Sequence, residues 1–363
     1  MFDDIPTPFI LLDAETVRRN LDQMAAYARS HRIGLRPHTK THKSRRIARM
    51  QRERGAIGLT VAKVGEALVM ADETDDLLMA YPALHPARCA ALATLARDRK
   101  VRVAVDSPAA ADALAEAGRS AGTAIGVLVE LDVGHHRNGV QTADEAVALA
   151  QHIDRTSGLR LDGLMVYPGH ISHGPPGTIE AGVHAISARL AEVLDAWHRH
   201  GLEAKILSGG STPAGRLSHL IPQLTEFRPG TYVFNDVNCI RQGCATVDDC
   251  AARIVCTVIS TAVPGQFVID AGSKTLTSDR CGPAPESGHG MVLEYPQAKI
   301  AKLSEEHGHV DAAACDRRPK VGERVTAIPN HICPCINLQD NVWWHEPGSP
   351  PEPMSVDARG KVY

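Results

Sequence analysis

The sequence predicts an α/β fold: a TIM (β/α)8 barrel followed by a mostly β C-terminal domain. Three observations carry this reading. Eight short β-like runs recur at residues 33–36, 57–62, 76–81, 101–106, 125–131, 161–167, 204–207 and 224–234. Helix-like apolar periodicity lies between them, as at 63–71, 87–97, 109–121, 143–153 and 178–200. After about Cys239 the rhythm stops and Pro and Gly become frequent. Strands alternating with helices imply parallel pairing through crossovers, and eight such units suit a barrel. An open doubly wound sheet is the other arrangement this alternation permits.

Taken in order, residues 9–13 read as a strand and 14–30 as an amphipathic helix. The barrel is expected to span 14–241 and the C-terminal domain 242–363, with residues 1–13 packing on the latter. In that domain 253–262, 266–270 and 324–328 read as strands, and 346–353 as loop.

Bulk chemistry narrows the function. The chain has 363 residues and a net charge of −3, from 39 basic and 42 acidic residues. That balance gives no reason to expect nucleic acid or a membrane as partner. No apolar run is long enough for a transmembrane helix. Met1-Phe2-Asp3-Asp4 lacks the character of a signal peptide. Nine irregularly spaced cysteines fit reduced thiols, so a cytoplasmic location is expected.

The residues with chemistry fall at the C-terminal ends of the predicted strands, where barrels keep their sites. Arg36-Pro37-His38-Thr39-Lys40-Thr41-His42-Lys43 ends the first barrel strand. Crowding by Arg36, His38, His42 and Lys43 is expected to lower the Lys40 pKa and free its amine for Schiff-base chemistry. A solvated basic strand end is the plainer alternative. Ser208-Gly209-Gly210-Ser211-Thr212-Pro213 follows the seventh strand, where glycines and hydroxyls suit a phosphate. Tyr167 and His170 end the sixth strand. The eighth run contains Arg228, before a Pro-Gly turn signal, and this arginine could face a cofactor nitrogen, a carboxylate or Glu226. In His331-Ile332-Cys333, read as extended, residues i and i+2 share a face and suit Zn²⁺. Cys335 is a possible third ligand, and His307 and His309 are either neighbours of the site or solvated.

These motifs, with Val129-Glu130-Leu131-Asp132-Val133-Gly134, Arg137, Gly139, Asp270-Ala271-Gly272, Glu306-His307-Gly308 and Pro329-Asn330-His331, occur in one order along nearly the whole chain. Together they resemble the D-threonine aldolase and D-serine dehydratase group of fold-type III, alanine racemase-like, pyridoxal-phosphate enzymes. The resemblance implies pyridoxal 5'-phosphate, a divalent metal (zinc, manganese, cobalt or magnesium), a small amino acid substrate and a homodimer. It makes Lys40 the Schiff-base lysine and Ser208, Gly209, Gly210, Ser211 and Thr212 the phosphate loop. His170 would back the ring, and Arg137 would approach its phenolic side. Arg228 would face the ring nitrogen, and Tyr167 and Tyr232 would complete the cofactor site. His331 and Cys333 would hold the metal and share the catalysis with Lys40. The implied reaction is retro-aldol cleavage of a 3-hydroxy-D-amino acid, which Asn337 to Asp340 resembles. The alternative is dehydration of D-serine or D-3-hydroxyaspartate, which Cys333 resembles. A cofactor-carrying barrel without catalysis is a third possibility.

Overall fold

The computed structural model describes residues 4–172, 174 and 177–363. Residues 1–3, part of the segment expected to pack on the C-terminal domain, lie outside the described residues. The chain forms two compact units. One, the barrel unit, holds Gln23–Lys40, Arg45–Gly230 and Lys361–Tyr363; the other, the sheet unit, holds Met1–Asp22, Thr41–Ser44 and Thr231–Gly360.

All eight predicted strands of the barrel unit form. They are β2 (Gly34–Leu35), β3 (Leu59–Val61), β4 (Asp76–Met79), β5 (Lys100–Val105), β6 (Ile125–Leu131), β7 (Leu159–Val166), β8 (Ile206–Gly209) and β9 (Glu226–Phe227). They pair in parallel in the order β2-β9-β8-β7-β6-β5-β4-β3. Beyond β2 the chain bonds to β3: Ile57 N donates to Leu35 O at 2.9 Å, Thr60 N to Pro37 O at 2.9 Å and Thr39 N to Thr60 O at 2.8 Å. These bonds close the ring. The last predicted run, 224–234, shortens to two residues, because Pro229 and Gly230 redirect the chain into a 3-10 turn at Thr231–Val233.

Helices α2 (Arg45–Glu53), α3 (Val64–Met70), α4 (Pro86–Leu95), α5 (Pro108–Ala121), α6 (Ala143–Arg155) and α7 (Thr178–Arg199) join the strands. Their ends follow local chemistry. α4 and α5 begin with proline, whose missing N–H is harmless in a first turn. Thr142 and Glu145 form a reciprocal capping box at α6.

Ion pairs run through the barrel. Arg36 binds Glu226 at 2.8 Å and Asp76 at 2.6 Å, and Arg102 binds Asp76 at 2.6 Å and Asp162 at 2.8 Å. Arg36–Asp76 and Arg102–Asp162 each skip a strand, so these two pairs cross the interior, while the other two link neighbouring strands. Beside them Leu78, Ala104, Leu128 and Met165 form an apolar cluster.

Gly163 lies on β7 opposite the register shift of β6, with φ of 149°. A Cβ there would meet Ile206 O at 2.0 Å. Gly163→Ala is expected to cost about 3 kcal/mol, read as a shift in denaturant midpoint; an unchanged midpoint would contradict the packing described.

The sheet unit contains β1 (Phe9–Asp13), β10 (Ala252–Ser260), β11 (Gln266–Ile269), β12 (Gly290–Val292), β13 (Lys299–Leu303), β14 (Gly308–Asp311), β15 (Arg324–Pro329), β16 (Asn341–His345) and β17 (Glu352–Ser355). β1 pairs antiparallel with β10 and parallel with β16. Three short helices follow the same chain: α8 (Val237–Arg241), α9 (Ser273–Leu276) and α10 (Ile332–Asn337). β12, β13, β14, β16 and β17 are short and were not expected. β17 begins inside the predicted loop 346–353, where Glu352 and Pro353 pair with Trp344 and Trp343. No helix among the described residues is long and apolar enough to cross a membrane.

Candidate active site

In the barrel unit the sequence motifs converge on residues after the strands. The β2 ladder continues to His38, which bridges Thr60, and half-buried Lys40 follows in a turn. Lys40 N donates to His38 Nδ1 at 3.4 Å. Arg36, expected to crowd Lys40, is instead held by Glu226 and Asp76.

Arg228 is 5% exposed. Its Nη1 donates to Ser208 Oγ at 2.6 Å and its Nη2 to Val166 O at 2.8 Å. Ser208 Oγ in turn donates to Glu226 Oε1 at 2.6 Å. Arg228 thus reaches Glu226 through Ser208. Burial drives the Arg228 guanidinium down to about 10, against the attraction of Glu226 and Glu130.

The expected phosphate loop divides. Ser208 lies within β8, 1% exposed, with its hydroxyl engaged by Arg228 and Glu226. Gly209 ends the strand, and the loop proper starts and turns at Gly210, whose φ is 80°. A Cβ on Gly210 would meet Phe227 Cβ at 2.9 Å, so the backbone here has no room for a side chain. Ser211 Oγ accepts from Ala214 N at 3.4 Å, and Thr212 Oγ1 accepts from Gly230 N at 3.2 Å.

A second group gathers after β6 and β7. Asp132 Oδ1 accepts from the N–H groups of Gly134, His135 and His136, each at 3.0 Å, and so shapes the loop carrying Arg137. The Arg137 guanidinium carbon lies 4.6 Å from the Tyr167 ring centre. The His135 ring meets Tyr167 edge-on at 5.2 Å and lies over His170 at 6.4 Å. Burial pulls the His170 imidazole down, as it does that of His135.

Sequence reasoning missed Glu130, although a carboxylate inside the apolar run of β6 was the signal. It is 2% exposed. Its Oε2 accepts from Asn138 Nδ2 at 2.7 Å, Asn138 Oδ1 accepts from Arg137 Nε at 2.9 Å, and Arg137 Nη2 lies 3.7 Å from Glu130 Oε1. Burial pushes the Glu130 carboxyl up to about 7; the Arg137 and Arg228 charges oppose this and Asp106 adds to it. From its ordinary 4.5 to about 7, the folded chain keeps a proton that the unfolded chain releases. This group's contribution to stability therefore falls as pH rises through that window. Glu130→Gln is expected to become more stable relative to the parent chain over the same rise. Denaturant midpoints along a pH series test this, and parallel profiles would contradict it.

In the sheet unit, His331 and Cys333 do meet, but not in an extended segment. His331 is the extended residue capping α10, and Cys333 sits in the first turn of that helix. Pro334 suits a first helical turn, which the i, i+2 reading overlooked. His331 Nδ1 lies 2.9 Å from Asp279 Oδ2. Thr41 Oγ1 lies 3.1 Å from Cys333 Sγ. Burial opposes charge on His331, but the Cys333 sulfur that it hydrogen-bonds, with Asp236 and Asp279, outweighs it and lifts His331 to about 10. Asp236 Oδ2 accepts from Ile332 N at 3.1 Å and fixes the start of α10. Cys335 is not a third ligand: its thiol faces His331 O at 3.3 Å and Leu276 O at 3.4 Å. Among the described residues no three His, Cys, Asp or Glu side chains could together hold a metal. His307 is exposed, and His309 Nε2 lies 3.2 Å from Ser304 Oγ. Tyr232 is buried in the 3-10 turn, with its carbonyl accepting from Asn235 Nδ2 at 3.2 Å.

Residues 12–237 match the alanine racemase N-terminal domain family, and residues 251–344 match a serine dehydratase domain. The chain belongs to the alanine racemase-like family. This alanine racemase-like chain is 31% identical to a D-threonine aldolase of Arthrobacter sp, over 98% of its own length and 93% of the relative's. It is 32% identical to the D-threo-3-hydroxyaspartate dehydratase of Delftia sp., over 91% of each chain. The crystal structure of D-threonine aldolase from Filomicrobium marinum superposes with a TM-score of 0.91 at 33% identity, covering 99% of this chain and 97% of that one. Solved forms of a D-threo-3-hydroxyaspartate dehydratase include one with a histidine replaced by alanine. Another, in a metal-free form, has a cysteine two positions further on replaced by alanine. That spacing is the spacing of His331 and Cys333.

Proposed function

We propose that this chain is a pyridoxal-phosphate- and divalent-metal-dependent lyase on 3-hydroxy-D-amino acids, cleaving them to glycine and an aldehyde. The observation that carries the proposal is the donor pair His331 and Cys333, hydrogen-bonded at the start of α10, in a chain similar over nearly its whole length to such lyases. An imidazole beside a thiolate is a donor set for zinc and its neighbours, and Asp279 on His331 Nδ1 fixes the ring as a carboxylate behind a metal-bound histidine does.

The barrel residues fit the aldehyde cofactor. Lys40 would hold it through its amine. Gly209, Gly210, Ser211 and Thr212 would hold its phosphate, with Gly210 leaving the backbone bare. Arg137 would approach the phenolic oxygen, and His170 and Tyr167 would flank the ring. Ser208 would support Arg228, which would face the ring nitrogen; a guanidinium at about 10 still holds its proton at neutral pH and leaves that nitrogen unprotonated. Pyridoxal phosphate held by these residues would supply an electron sink for the pair left on Cα, and a metal held by His331 and Cys333 would supply a Lewis acid for the 3-hydroxyl.

The second reading is dehydration to a 2-oxo acid and ammonia, with Lys40 taking the Cα proton. The His331–Cys333 spacing, shared with the solved D-threo-3-hydroxyaspartate dehydratase variants, favours it. We further propose a cytoplasmic homodimer. Incubation with D-threonine, pyridoxal phosphate and manganese tests the choice, with L-threonine as control. Glycine and acetaldehyde support cleavage, 2-oxobutanoate and ammonia support dehydration, and no product from any 3-hydroxy-D-amino acid overturns both.

A further inference from the structure

We propose that Cys239 and Cys244 are a modification site, closing a reversible disulfide across the end of α8. The backbone there is a helix stop with a left-handed glycine. Gly243 has φ of 73°, Gly243 N donates to Ile240 O at 3.0 Å, and Cys244 N donates to Cys239 O at 3.1 Å. In this stop the residue after the glycine packs over the residue that accepts its N–H. Usually that contact is apolar; here both partners are cysteines. Cys244 Sγ lies 3.4 Å from Cys239 O, and the two thiols hydrogen-bond to each other. A direct backbone hydrogen bond brings their Cα atoms close to the ~4.4–6.8 Å that a disulfide spans.

Both are free thiols, and their exposures differ usefully. Cys244 is partly exposed, whereas Cys239 is 3% exposed. Cys250 and Cys281 lie in an apolar cluster with Val237 and Ile328, and Cys256 and Cys335 are fully buried. The hydrogen bond that the Cys239 thiol gives to Cys244, burial and the Asp236 carboxylate hold the Cys239 thiol well above its ordinary range. Cys244 is therefore the first sulfur to react.

With hydrogen peroxide as oxidant, the Cys244 thiolate attacks one oxygen and the O–O bond breaks. The departing hydroxide takes a proton and leaves as water, and Cys244 becomes a sulfenic acid. Cys239 gives up its proton and attacks that sulfur; the S–S bond forms, the S–O bond breaks and a second water leaves. Two thiols lose two electrons and two protons, and the peroxide accepts both. A small thiol reverses the bond by exchange. The turn is tied to α10: Cys239 N donates to Asp236 Oδ1 at 3.0 Å, and Asp236 Oδ2 accepts from Ile332 N.

The test uses the whole reduced protein, treated with hydrogen peroxide, blocked with N-ethylmaleimide and digested with trypsin without reductant. Arg241 lies between the cysteines, so the disulfide appears as two peptides joined through Cys239 and Cys244. The joined pair is expected after peroxide, absent after dithiothreitol and absent in Cys244→Ser. Recovery of both cysteines as maleimide adducts after peroxide treatment overturns the proposal. So does a Cys244 oxidised to sulfinic acid with no joined pair.

Discussion

Lys40→Ala is expected to lower turnover of a 3-hydroxy-D-amino acid by at least about 10³-fold, with the fold intact. Lys40 is half-buried in a turn whose neighbours are otherwise engaged. Arg36 is bound by two carboxylates, and Lys43 Nζ points to Ala358 O at 3.4 Å. Lys40 is the amine that the proposed function needs. The variant should keep its circular dichroism and lose the visible absorbance of an imine-linked cofactor. A small primary amine added to the assay is expected to restore part of the rate. Turnover within tenfold of the parent chain would contradict the assignment.

Glu226→Ala is expected to destabilise the barrel by about 3–5 kcal/mol, because removing one member of a buried ion network leaves its partners uncompensated. Glu226 is 3% exposed and holds Arg36 at 2.8 Å and Ser208 at 2.6 Å. Through Ser208 it also supports Arg228, itself 5% exposed. Deletion removes the larger of the two carboxylate attractions on buried Arg228 and leaves Glu130, whose own carboxyl is pushed up to about 7. The denaturant midpoint measures the effect, and Glu226→Gln, which keeps an acceptor but not the charge, should fall between. A change below about 0.5 kcal/mol would place the network outside the energetics of the fold.

The barrel was legible in the sequence because its signal is local. Strands such as Ile125–Leu131 are apolar runs, here interrupted by Glu130 alone, and α4 to α6 carry their own proline or threonine starts. The sheet unit was read less completely. β12 and β14 have three and four residues, too few for an alternation to stand out, and they are held by pairing with β15 and with β11 and β13. The His331–Cys333 meeting was anticipated with the wrong backbone, since a histidine cap and a cysteine in the first turn of a helix also converge. Ser208 was placed with the anion loop because a Ser-Gly-Gly run looks alike whether its first residue ends a strand or begins a turn. Glu130 drew no notice because its partners, Arg137, Asn138 and Arg228, lie on other turns and strands, and burial is a property of the assembled barrel.

Reductive trapping tests the central claim most directly. The purified chain would be loaded with pyridoxal phosphate, reduced with borohydride and digested, and the labelled peptide sequenced. A single pyridoxyl group on Lys40 is the expected result. Label on Lys43 or Lys63 instead, or none above the level of the Lys40→Ala variant, would contradict the account.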